Sequence, residues 1–87
     1  MIIWFRAWKD NHMVQDYTVT NETKETRTHK IFAAVDEVCY AMDLSKPIWL
    51  NNTVTEFKAH GKTRFYQDNF MDEIPFDYLE IEILEED

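Results

Sequence analysis

The sequence predicts one α+β domain over residues 1–87, in which a small antiparallel sheet packs on one long helix, with a short second helix. Three observations predict it. Ile2–Lys9 and Met13–Thr20 are rich in aromatic and β-branched residues and flank the turn formers Asp10 and Asn11, the pattern of an N-terminal β-hairpin. Ile31, Ala34, Val35, Val38 and Met42 then recur at helical spacing. Near the C-terminal end, Leu79, Ile81 and Ile83 alternate with Tyr78, Glu80, Glu82 and Leu84, as in a strand with one buried and one wet face.

The hairpin admits two registers. A two-residue Asp10-Asn11 turn pairs Trp8 with Met13, Trp4 with Tyr17 and Ile2 with Val19, with both tryptophans on the apolar face. A three-residue loop that includes His12 pairs Ile3 with Val19 and Phe5 with Tyr17, and sets Arg6 opposite Asp16 on the other face beside Trp4 and Trp8. The second is preferred, because it pairs a charge and turns Ile3, Phe5 and Ala7 inward. Trp4 and Trp8 then need a cover: the second helix, a second subunit or another protein.

The helical spacing runs from about Thr23 to Met42, with Asn21 or Thr23 as the expected cap and Glu22 and Glu25 near the positive end of the dipole. Pro47 biases Lys46 away from helical angles and ends the helix before it. Ile48-Trp49-Leu50 is expected to plug a core edge. Asn51 or Asn52 caps a short helix carrying Val54 and Phe57, which stops at Gly61. Thr63–Tyr66 reads as a strand, Asp68–Pro75 as a loop and Asp77–Glu85 as the last strand. Paired antiparallel, the last two strands set Lys62 and Arg64 against Glu80 and Glu82.

Composition narrows the function classes. Seventeen acids against 9 bases give a net charge of −8, yet 45% apolar and 15% aromatic residues are too many for a disordered chain. A chain this short buries only about 60–65% of its unfolded surface, so a few large side chains must carry the core. A single glycine excludes the Gly-rich phosphate loops, and a single cysteine excludes an internal disulfide and a multi-thiolate zinc site. No apolar run is long enough for a signal segment or a membrane span, so a cytoplasmic location is expected.

Charge is distributed unevenly: residues 68–87 hold 9 acids and no base, while residues 44–67 hold 4 bases and 1 acid. Asp77, Glu80, Glu82, Glu85 and Glu86 are thus a candidate acidic face, and Lys58, Lys62 and Arg64 a candidate basic patch that answers part of it. Aromatics interleave with these bases from Phe57 to Tyr66, the combination that stacks single-stranded bases. The net charge and the neighbouring acidic strand disfavour direct nucleic-acid binding.

His12, His29 and His60 lack metal-ligand spacing and read as surface or cap residues, and Cys39 reads as a small buried hydrophobe. Asp68, Asn69, Asp72, Glu73 and Asp77 lack the EF-hand spacing and read as a solvated loop. No catalytic residue, metal or cofactor is expected. Three tryptophans in 87 residues exceed what a small core readily encloses: completing the core is the favoured role, and because the preferred register takes Trp4 and Trp8 off the inner face, Trp4, Arg6, Trp8 and Trp49 are the candidate interface.

Asp43-Leu44-Ser45-Lys46-Pro47-Ile48-Trp49-Leu50, Glu56-Phe57-Lys58, Lys62-Thr63-Arg64-Phe65, Asp68-Asn69-Phe70 and Phe76-Asp77-Tyr78-Leu79-Glu80-Ile81 together resemble small cytoplasmic proteins of anaerobic Gram-positive bacteria. That resemblance spans most of the chain and implies a bacterial origin, with no assigned activity or site residue. The leading expectation is a non-enzymatic interaction or accessory protein with an unidentified protein partner or a second copy of itself. A nucleic-acid mimic that uses the acidic C-terminal face is the alternative. A small ligand-binding domain or enzyme with a pocket around Trp49, Arg64 and Tyr66 is the third.

Overall fold

A computed structural model describes all 87 residues. Strand β1 (Ile2–Lys9) turns into β2 (His12–Thr20), followed by helix α1 (Arg27–Ala41) and helix α2 (Asn51–His60). The chain ends with β3 (Lys62–Tyr66), a 3₁₀ turn over Gln67–Asn69 and β4 (Tyr78–Glu85). The four strands form one sheet in the order β2-β1-β4-β3, antiparallel throughout, so the fold is the mixed α+β architecture that the sequence predicts.

The hairpin combines parts of both expected registers. Asp10 (φ 51°) and Asn11 (φ 65°) both take left-handed angles, as a two-residue type I′ turn requires, and Trp8 therefore faces Met13. Ala7, however, faces Gln15, so Val14 is an extra residue bulged from β2. Beyond the bulge Arg6 faces Asp16, Phe5 faces Tyr17 and Ile3 faces Val19. The three-residue loop is not formed, but its strand pairing is, with Trp4 and Trp8 off the inner face.

Helix α1 begins at Arg27, later than the periodicity predicts, because Asn21 and Thr23 are occupied elsewhere. The Asn21 Oδ1 accepts from the Thr23 N–H at 3.0 Å and from its hydroxyl at 2.7 Å, a local turn that ends β2. Thr26 is the cap instead, its Oγ1 accepting from the His29 N–H at 3.3 Å. Glu22 and Glu25 therefore lie outside the helix. Helix α2 starts after Leu50 without a side-chain cap, so neither asparagine caps it, and Gly61 (φ 65°) closes it.

The core lies between the helices and the inner face of the sheet, where Ile3, Phe5, Phe65, Leu79, Ile81 and Val38 are fully buried. Trp49 packs onto it, with ring centroids 4.9 Å from Phe65 and 5.5 Å from Phe57. Ile48 and Leu50 on either side are exposed, so of the expected three-residue plug only Trp49 enters. Buried Asn69 ties this segment down, donating from Nδ2 to the Ile48 carbonyl and to Thr53 Oγ1. Buried Lys30 reaches the Asp87 carboxylate, which also accepts from the Met1 amine at 2.6 Å. Those two cations hold the Asp87 carboxyl below its ordinary value, by hydrogen bonding first and then by charge.

The two sheet edges differ. Strand β3 is five residues long, carries Lys62 and Arg64, and has its Tyr66 N–H bonded to Asn69 Oδ1 at 3.0 Å. Strand β2 has nine residues, nearly all exposed, with no proline, glycine or lysine.

Candidate functional site

The register fixes what the outer face of the sheet displays. Read across β2, β1, β4 and β3, one row is Asp16, Arg6, Glu80 and Arg64, charges of alternating sign. Arg6 Nη2 lies 2.7 Å from Glu80 Oε1 and 2.8 Å from Glu82 Oε1, while Arg64 Nε lies 3.1 Å from Glu80 Oε2. Lys62 Nζ is 3.8 Å from the same oxygen. The Arg6 guanidinium stacks 4.1 Å over the Trp4 ring, whose Nε1–H donates to Asp16 Oδ2 at 3.0 Å.

This network closes the face with its own side chains. Neither helix lies over it, yet Arg6 is only 8% exposed and Glu80 only 3%. Burial pushes the Glu80 carboxyl upward, but the Arg64 hydrogen bond and the charges of Arg6, Lys62 and Arg64 outweigh it and hold the group below the usual carboxylate range. Glu80 is therefore a buried counter-ion shared by three cations.

The adjacent row runs Met13, Trp8, Tyr78 and Tyr66 across the same four strands. Met13 and Tyr66 are 46% and 48% exposed, and Trp8 and Tyr78 are half-buried. The two tyrosine rings lie 5.4 Å apart, and Arg64 stacks 4.6 Å over Tyr78. Beneath this surface, Arg6 Nε and Trp8 Nε1 are buried donors without an acceptor.

Other expected site residues are dispersed. Trp49 is in the helical layer, across the sheet from Trp4, Arg6 and Trp8, because aromatic packing on Phe57 and Phe65 holds it there. The five acids do not form one face. Asp77 accepts from the Asp10 N–H at the hairpin end, Glu80 and Glu82 are bound by Arg6, and Glu86 pairs with Arg27 at the other end of β4, beside exposed Glu85. The basic patch also divides. Lys62 and Arg64 line an open polar cleft of about 370 Å³ with Glu56, His60 and Tyr66. Lys58 lines a separate apolar cleft of about 150 Å³ with Phe32, Trp49 and Phe57. Trp49 thus shares no pocket with Arg64 and Tyr66.

Cys39 is buried, and burial, followed by the charge of Asp36, pushes its thiol up to about 11, far from a reactive thiolate. The three histidines are exposed and lie on separate elements, and no three of the His, Cys, Asp and Glu side chains converge as a metal site. No helix is long and apolar enough to cross a membrane.

Tyr78 and Met13 are outer-face residues that the sequence reading leaves without a role. The strand alternation puts Tyr78 on the wet side, and the two-residue turn sets Met13 opposite Trp8, while the Val14 bulge brings that pair onto the outer face. Comparison of the chain with protein-family models, with curated proteins and with solved structures gives no match.

Proposed function

We propose that this chain is a non-enzymatic interaction or accessory protein that docks a protein partner on its outer sheet face, in the cytoplasm. The observation that carries the reading is the row of the aromatics Trp8, Tyr78 and Tyr66 with Met13 on a face that neither helix covers. Tryptophan, tyrosine and arginine are the residues that dominate protein interfaces, where a rigid ring gives a large contact area at low entropic cost. The charges beside the row favour a protein over a nucleic acid. Arg6, Lys62 and Arg64 are held by Glu80 and Glu82, so phosphate has to compete with carboxylates already in place.

Affinity capture with the full chain from the cells that make it tests the reading. The double variant Trp8→Ala/Tyr66→Ala, folded by circular dichroism, is expected to lose the captured protein, while Tyr40→Ala, on the 91% exposed side chain of α1, keeps it. Retention by the double variant contradicts the reading.

A further inference from the structure

Strand β2 ends the sheet with unpaired backbone, and its geometry specifies what fits there. Asn21 and Met1 exchange both main-chain hydrogen bonds, Asn21 N–H to Met1 O at 2.9 Å and the Met1 amine to Asn21 O at 3.0 Å. Antiparallel pairing alternates from that point, so Val19 and Tyr17 bond to β1, while Thr20, Thr18 and Asp16 turn their N–H and C=O groups outward. The free stretch is bounded on one side by the Val14 bulge and on the other by the Asn21-Thr23 turn. Its centre is Thr18.

We infer that two copies of this chain pair antiparallel through β2, with the two-fold axis at Thr18, into one continuous eight-stranded sheet. Axes at Tyr17 or Val19 also align outward groups, but only the axis at Thr18 pairs all three outward residues, Asp16, Thr18 and Thr20. Thr18 faces Thr18 of the second copy and Asp16 faces Thr20, each facing pair exchanging two main-chain hydrogen bonds. Tyr17 meets Val19 on the inner face at the close, non-hydrogen-bonded spacing that favours apolar pairs. An axis at Asp16 sets two carboxylates against each other and runs into the bulge. An axis at Thr20 runs into the Asn21 turn.

Helix α1 packs over β1 and β2 on the inner face. Each copy carries a net charge of −8, so salt screens the repulsion and tightens the pair. This inference is independent of outer-face docking.

Sedimentation velocity of the full chain at increasing concentration, at low and high salt, tests it. A monomer–dimer equilibrium is expected, tighter in high salt. Thr18→Pro, which removes an outward N–H, and Thr18→Lys, which opposes two ammonium groups at the axis, are each expected to weaken it at least about tenfold while keeping the monomer's circular dichroism. If Thr18→Pro fails to fold, Thr18→Lys decides. Under mild oxidation Thr18→Cys is expected to crosslink to itself and Asp16→Cys is not. A monomer at every concentration up to about 1 mM overturns the inference. So does a dimer that survives Thr18→Lys, or equal crosslinking by both cysteine variants.

Discussion

The two faces of this sheet are made by the same strands and closed by different physics. Inward, Ile3, Phe5, Phe65, Leu79 and Ile81 are sealed by α1 and α2, and the stabilisation is apolar area removed from water. Outward, Arg6 and Glu80 are equally inaccessible without an element above them, because charges aligned across four strands lie flat against tryptophan and tyrosine rings. A face closed this way needs no helix, and its aromatic row stays available to a partner.

The largest break in that comparison comes from the inner side. Phe65→Ala removes a fully buried ring that Trp49 packs against, and is expected to cost about 3–5 kcal/mol by urea unfolding. At roughly 4–8 °C per kcal/mol for a domain of this size, much of the thermal stability goes with it.

Next is the outer counter-ion. Glu80→Ala leaves Arg6 buried with only Glu82 for a partner, and a loss of about 3 kcal/mol is expected. The pH dependence identifies the cause. Because the folded carboxyl titrates below its ordinary value of 4.5, its contribution is complete above about pH 4.5 and is lost as pH falls through the lower folded value. The wild-type unfolding free energy should therefore drop more steeply below pH 4.5 than that of Glu80→Gln. Parallel acid limbs contradict the assignment.

The smallest effect sharpens the contrast between the buried and exposed members of one row. Lys62→Gln removes an exposed ammonium 3.8 Å from Glu80, and a loss of about 0.2–1 kcal/mol is expected, declining with salt. A loss as large as that of Glu80→Ala means that the ladder depends on its edge.

Much of this layout is legible in the sequence, because side-chain period and charge pairing are local. The alternation in β4 and the antiparallel pairing with β3 set Lys62 and Arg64 against Glu82 and Glu80, as observed. What escapes is long-range. That Arg6 meets Glu80 depends on β4 lying beside β1, a neighbour that 73 intervening positions do not reveal. The Val14 bulge carries no glycine to mark it, and two plain registers therefore stand where the molecule merges both. Trp49 is expected both at a core edge and in the candidate interface, and the convergence of Phe57 and Phe65 in space decides for the core.

The most direct test of outer-face docking is a photo-crosslinking amino acid placed at Tyr66 on the outer face and, separately, at Tyr40 on α1, in the cells that make the protein. A discrete protein adduct from position 66 that disappears with Trp8→Ala, and none from position 40, is the predicted result. Adducts of equal yield from both positions, or from position 40 alone, contradict it.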